Sequence, residues 1–448
     1  MTLLDPLFGS EAVDAIFADH LRLQRMLDFE AALARAEAQL DVIPKSAVAP
    51  IVSQCRADLF DTEFLAQAAV KSGNLAIPIV KQLTDLVGKR DKEAMRYVHW
   101  GATSQDVIDT GLVLQMRDAF NGIAVDMNHV CDGLARLAST HRATFMPART
   151  WLQQAVPTTF GLKAAGWLDA MTRHRARLQE LRSRVLVLQF GGAAGTLASL
   201  GQRGLDVAGE LANDLKLNLP DLPWHAHRDR LVEVATFLAL LTGTLGKIAR
   251  DLSLQMQTEI AELFEPAGEG RGGSSTMPHK RNPVACAVVL SAATRAPALA
   301  ATMLSAMSQE HERGLGGWHA EWETLPELFR LSAGALHRMS ETVAGLEVQP
   351  DRMLQNLEIT HGLIYAEAVT MVLGKRIGKA AAHQLVEVAS RKAVEKKMHL
   401  REILSADAEV SSRLSAAELD KLFDPRNYTG MANQFIDRAI AASKAGTR

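Results

Sequence analysis

The stretch from Gly272 to Pro283, Gly-Gly-Ser-Ser-Thr-Met-Pro-His-Lys-Arg-Asn-Pro, gathers hydroxyls, cations and turn formers. Ser274, Ser275 and Thr276 supply hydroxyls, and Lys280 supplies a point charge. Gly268, Gly270, Gly272 and Gly273 loosen the approach. Pro283 suits the first residue of a helix, with Asn282 as its cap. A loop of this kind running into a helix N-terminus is suited to meeting an anion. It is not a nucleotide-binding P-loop, because Lys280 is followed by Arg281 rather than Ser or Thr and has no glycine directly before it.

Three further stretches carry polar groups at suggestive spacing. Tyr97–Thr110 places His99, Thr103 and Ser104 just before a long apolar-periodic segment; read alone, Thr103-Ser104 is a helix cap. Ala148–Gly161 holds Arg149, Trp151, Gln153 and Thr158. Gln309–Trp322 holds His311, Arg313, Trp318 and Trp322, and the two indoles are equally suited to core packing. His225-Ala226-His227 lacks a third ligand at an obvious spacing, which argues against a metal centre. Gly191–Thr196 is rich in glycine, but helix precedes it, so it reads as a turn rather than a dinucleotide loop.

Taken together, these strings resemble the fumarase/aspartase superfamily. The loop fills every defined position of the family signature Gly-Ser-Ser-x-Met-Pro-x-Lys-x-Asn-Pro, and Tyr97–Thr110 is similar to its first motif, His-x-Gly-x-Thr-Ser-x-Asp. The stretch from Arg149 is similar to Arg-Thr-His-x-Gln-x-Ala-x-Pro-Thr-Thr-x-Gly, except that Trp151 stands where amine and water lyases carry histidine. Ser72-Gly73-Asn74 also departs from the adenylosuccinate lyases, as do Trp318 and Trp322, which fall where those enzymes hold a nucleotide phosphate.

The resemblance implies an all-α fold of three helical domains with a central long-helix bundle. It implies elimination, or its reverse, next to a carboxylate. Ser274 is the implied proton-transfer residue, with Lys280 and Asn282 stabilising the carbanion. His99, Thr103, Ser104 and Gln153 are implied carboxylate binders and Arg313 a further candidate. Thr158, Ser275 and Met277 complete the substrate-binding set, and Trp151 shapes and dries the site. No metal or organic cofactor is implied. The implied assembly is a homotetramer whose sites draw on several subunits.

Trp151 narrows the reaction. An indole N–H is a donor only and exchanges no proton near neutrality. A departing amine or hydroxide needs a proton, whereas a carboxylate, with a conjugate-acid pKa of roughly 4, does not. The expectation is therefore a carboxylate leaving group or, in reverse, a carboxylate adding within one small polycarboxylate to close a lactone. An adenylosuccinate-type amine lyase, a non-catalytic structural member of the superfamily and a sulfonated substrate are the alternatives.

Helical periodicity positions these residues. Leu23, Met26, Phe29, Leu33, Ala36 and Leu40 mark one helix, with Arg22, Arg25, Asp28, Glu30, Arg35 and Glu37 among them as in an amphipathic helix. Further helices are expected over 51–60, 61–71, 161–190, 231–264 and 284–308, with a long one from about residue 111, and no strand between Asn121 and Glu310. The expected domains are 1–110, 111–360 and 361–448. Hydrophobic residues make 48% of the 448, charged residues 22%, and net charge is −2, which gives no reason to expect nucleic acid or an anionic membrane as partner. Cys55, Cys131 and Cys286 lack metal spacing and suit a reducing cytoplasm. Acidic residues near the start argue against a signal peptide, and no membrane span is expected.

Overall fold

The computed structural model describes residues 3–268, 272–273, 277 and 279–445. Two compact units are formed from interleaved segments. The first comprises Met1–Asp126, His174–Gly246 and Val288–His337; the second comprises Met127–Arg173, Lys247–Ala287 and Arg338–Arg448.

In the first unit, helix α1 (Asp19–Gln39) buries Leu23, Met26, Phe29 and Leu33 on the face their spacing predicts. Two of its carboxylates depart from the amphipathic expectation. Glu30 is 2% exposed and Glu37 0% exposed. They lie seven and fourteen residues after Leu23, so they share its face rather than the solvent face. Helix α2 (Ser104–Thr140) is the longest. In this unit Phe120 of α2 stacks at 5.5 Å on Phe329 of α6 (Gly317–Ala344), and Phe17 meets Phe329 at 5.1 Å. Helices α3 (Phe160–Val185), α4 (Asp229–Gln255) and α5 (Val284–Ala306) complete the long-helix set.

Two expected helices differ. The helix expected over 51–60 is instead a short one, Val48–Val52, followed by a 3₁₀ turn, Ala57–Leu59. Gln24 on α1 donates to the Cys55 carbonyl and accepts from the Ala57 N–H, engaging backbone groups that a helix would need for itself. Helix α4 stops at Gln255, about 40 Å after its start by helical rise, because the chain turns through Ala261 at φ +49° into a strand.

In the second unit, β1 (Phe145–Thr150) and β2 (Gln153–Thr159) form an antiparallel hairpin where no strand is expected. Pro147 faces Pro157 and the register shifts after it, so burial does not alternate as in a regular strand. A second pair joins β3 (Leu263–Phe264) to β4 (Glu347–Val348). The helical segment at the C-terminus packs Ala366–Ile377 on Lys379–Lys396 around Val369, Leu373, Val386 and Leu404.

The three cysteines are buried and form no disulfide among the described residues. Two helices, α4 and α5, have the length and composition of a membrane span, a test that core helices also pass. The apolar window of α4 is 61% buried and that of α5 33% buried.

Among the described residues, both carboxylate oxygens of Glu37 are buried without a hydrogen-bond partner. Burial, with a smaller contribution from Glu30, pushes its pKa up from 4.5 to about 9. A raised folded-state pKa stabilises the fold fully below the unfolded value, and that stability is lost as pH rises through the folded value. The melting temperature is therefore expected to fall between pH 5 and pH 9. The slope should flatten in Glu37→Gln, and equal slopes in the two proteins would refute a buried neutral Glu37.

Candidate active site

Within the first unit, the site begins where α2 begins. Asp106, in the first turn of α2, is 0% exposed. Its carboxylate accepts the Thr103 N–H at 3.0 Å, the reach-back half of a capping box. The same carboxylate accepts from the Gly191 and Gly192 N–H groups and from Gln189 Nε2, and lies 2.7 Å from His225 Nε2. One buried anion thus ties the Thr103–Ser104 helix start to the Gly191–Gly192 turn. That accounts for the glycine-rich stretch without a nucleotide, and it engages His225 with a carboxylate. Gly101, at φ +74°, adopts a left-handed backbone that favours glycine, and a Cβ there would also sit 2.7 Å from Leu200 Cδ2.

Arg313 joins the same group. One of its terminal nitrogens donates to Thr103 Oγ1 at 3.1 Å and to the Ala193 carbonyl at 3.1 Å. His99 stands opposite Glu30, with Nδ1 2.6 Å from Oε1. Beneath them Arg228, with no exposed side-chain surface, sits between Asp109 and Glu321. Burial works against its charge, and the two carboxylates outweigh burial and raise its pKa. Gln105 and Trp318 donate to Asp109, and Gln309 donates to Glu321, completing the carboxylates' shells. Trp318 packs edge-on against Trp322 at 4.9 Å. The tryptophans are therefore part of the packed wall, in keeping with the departure from a phosphate site.

The second unit holds the signature loop. Ser274 and Ser275 lie outside the described residues. Lys280 and Met277 are exposed, and Asn282 is half-buried, its backbone N–H on the Gly272 carbonyl at 2.8 Å. Gly272, at φ +65°, would place a Cβ 2.8 Å from the Asn282 carbonyl, so the loop closes on itself only through glycine. Arg281 is anchored rather than free. It pairs with Glu347 through two 2.8 Å contacts, donates to the Glu265 carbonyl and lies over Phe264. The expectation that the helix after Asn282 offers its N-terminus to substrate is corrected. The Glu265 carboxylate already accepts the Ala285 and Cys286 N–H groups at 3.0 and 2.8 Å, and the helix itself starts at Val284.

Gln153 and Thr158 lie on β2, Gln153 exposed at its start and Thr158 half-buried opposite Met146. Trp151 and Leu152 form the hairpin tip at φ +53° and +64°, the former 98% exposed. A two-residue turn of this kind normally takes Asn-Gly, and holding bulky residues left-handed costs about 1–2 kcal/mol each. Trp151 thus shapes no pocket within its own unit. The hairpin base is fixed: Arg149 pairs bidentately with Glu262, Asn356 donates to Glu262, and Gln154 donates to the Asn356 carbonyl.

Of the expected residues, His99, Thr103, Ser104 and Arg313 belong to the first unit, with Thr103 and Arg313 in direct contact. Trp151, Gln153, Thr158, Met277, Lys280 and Asn282 belong to the second. Sequence reasoning missed Glu30, Asp106 as a hub, Arg228 and Glu265. The heptad spacing of Leu23, Glu30 and Glu37 was the available signal for the first. Among the described residues no group of three His, Cys, Asp or Glu is placed to hold a metal ion.

Residues 9–298 match the family described as lyase, and 362–439 match the adenylosuccinate lyase C-terminus. The chain belongs to the lyase family. It is 57% identical to the 3-carboxy-cis,cis-muconate cycloisomerase of Pseudomonas aeruginosa, over 99% of this chain and 96% of that one. The enzyme of the same name from Bradyrhizobium diazoefficiens is also 57% identical, over 98% and 97%. The crystal structure of the 3-carboxy-cis,cis-muconate lactonizing enzyme from Pseudomonas putida superposes with a TM-score of 0.96 at 52% identity, covering both chains in full.

Replacing Arg228 with Met is expected to leave Asp109 and Glu321 buried without their cation. Breaking such a pair costs about 3–5 kcal/mol, read as a lowered denaturant midpoint. A midpoint within experimental error of the parent would contradict the network.

Proposed function

We propose that this chain is a cycloisomerase that closes 3-carboxy-cis,cis-muconate to 4-carboxymuconolactone, a step in the breakdown of protocatechuate. The observation that carries it is identity of 57% over essentially the whole chain to enzymes of that name, with Trp151 in place of an acid–base histidine.

In the forward direction one substrate carboxylate attacks the conjugated double bond. A C–O bond forms, and the π electrons move onto the carbon next to a second carboxylate, which takes up the charge. Ser274 donates its proton to that carbon and recovers one from solvent. The ring oxygen was a carboxylate, so no leaving group has to be protonated, and tryptophan at position 151 is compatible with turnover. Lys280 and Asn282 stabilise the enolate-like dianion. His99, Thr103, Ser104, Gln153 and Arg313 bind the remaining carboxylates, with Thr158, Ser275 and Met277 lining the substrate. The open start of α2 favours an anion there, because the first N–H groups of a helix lack intrahelical partners. No cofactor has a role in this sequence of steps.

The assembly is a homotetramer with shared sites. Two observations support this: the strained, exposed Trp151–Leu152 tip, and the apolar helix α5, whose window is only 33% buried in one chain. A second copy covering both would place Trp151 in a neighbour's site, where it shapes and dries the cavity. The division into 1–110, 111–360 and 361–448 is kept for the subunit, and the separate family match beginning at residue 362 supports its last boundary. A reducing cytoplasm suits three buried cysteines outside any disulfide.

Purified protein is expected to remove the diene absorbance of 3-carboxy-cis,cis-muconate in excess chelator and to leave adenylosuccinate unchanged. Turnover of adenylosuccinate alone would overturn the reading. Ser274→Ala and Lys280→Met should each lower kcat by about 100-fold or more. Inactive Ser274→Ala and Thr103→Ala proteins, mixed and reassembled, should regain part of the activity; no recovery would count against shared sites.

A further inference from the structure

His99 is held unusually firmly for a surface-loop residue. Its backbone is left-handed at φ +58°, and its side chain is 17% exposed. Nδ1 lies 2.6 Å from Oε1 of Glu30, whose side chain is 1% exposed. Glu30 comes from α1, sixty-nine residues earlier, so the pair is a tertiary contact rather than a local turn. A carboxylate at Nδ1 makes that nitrogen the one that keeps its proton, which leaves Nε2 as the titrating nitrogen. Among the described residues Nε2 has no hydrogen bond. A second proton at Nε2 turns the ring into a charged donor pointing away from Glu30.

We propose that Glu30 is a positioning residue whose buried carboxylate fixes the Nδ1 proton of His99 and so presents Nε2 as a charged donor to one carboxylate of the substrate. The inference rests on the lactonising reading, in which three carboxylates must be held, and adds to it a residue that touches no substrate atom.

The ionisable groups acting on His99 are Glu30 on α1 and Asp106 on α2, and Glu30 also acts on the buried Glu37. Burial works against charge on His99, and Glu30, by charge and hydrogen bond, together with Asp106 outweighs it, so the pKa lies above the ordinary histidine value. Asp106 is already committed to three backbone N–H groups, Gln189 and His225, which leaves Glu30 as the hydrogen-bonding partner of the imidazole. The charged ring therefore persists towards neutral pH and is lost as pH rises through the raised value.

Glu30→Gln keeps the side-chain shape and removes the charge. KM for 3-carboxy-cis,cis-muconate should rise about tenfold at pH 8, the loss expected of one charged hydrogen bond, while kcat changes little. The alkaline limb of kcat/KM should move to lower pH, because burial then acts on His99 with less opposition. Glu30→Asp, which keeps the charge, should recover part of the loss. In a His99→Gln background, Glu30→Gln should have no further effect on KM. An unchanged KM and an unchanged alkaline limb in Glu30→Gln, with wild type active, would overturn the proposal and leave the lactonising reading intact. Wild type inactive on the muconate would instead remove that reading. The pair would then be judged by nitrogen NMR of labelled histidine in the wild-type protein. A proton on Nδ1 with Nε2 titrating above the ordinary histidine range supports it, and a proton on Nε2 with Nδ1 titrating overturns it. The wild-type measurement also decides the matter if Glu30→Gln fails to fold.

Discussion

A guanidinium removed from water has to be answered by anions in its own shell, and Arg228 is answered by two. Asp109 comes from α2 and Glu321 from α6, so a single charge requirement fixes two helices relative to the segment carrying Arg228. The remaining acceptor positions of both carboxylates are filled by Gln105, Trp318 and Gln309. Half-satisfied networks of this kind are worse than apolar packing, while satisfied ones define a single arrangement. Here the arrangement places the start of α2 and the Gln309–Arg313 segment within reach of each other, which is what lets Arg313 touch Thr103.

The chemistry asked of this scaffold is electrostatic. Closing a lactone from a tricarboxylate concentrates negative charge and then shifts it from one carboxylate towards another. Proton transfer to a leaving group is absent from the sequence of steps, so the protein spends its polar groups on holding anions still. In the proposed reading the anion holders of the first unit each stand beside a buried carboxylate: Asp106 accepts the Thr103 N–H, and Glu30 faces Nδ1 of His99. The second provides Lys280 on a loop closed by Gly272 and tethered at Arg281.

What the sequence discloses follows from how local each rule is. The cap at Thr103–Ser104, the Gly191–Thr196 turn and the apolar face of α1 obey rules of a few residues, and the structure places them as read. Glu30 and Glu37 illustrate the limit. Their charge argues for solvent and their spacing for the core, and burial follows the spacing. Arg228 finds its carboxylates 119 and 93 residues away, and Glu265 reaches a helix start 20 residues on; no local pattern announces either. The hairpin escapes detection because prolines, a register shift and an exposed tip erase the alternation that marks a strand.

The placement of Glu265 has one more consequence. A helix start is a general trap for small anions, and cells hold phosphate and other carboxylates in abundance. Glu265 is a competitor tied to the same chain, present at an effective concentration in about the millimolar range or above whatever the solution contains. Ambient anions therefore meet a seat already taken at the base of the loop. Selectivity is left to groups above it that read the shape and spacing of several charges at once, which a lone inorganic ion cannot imitate.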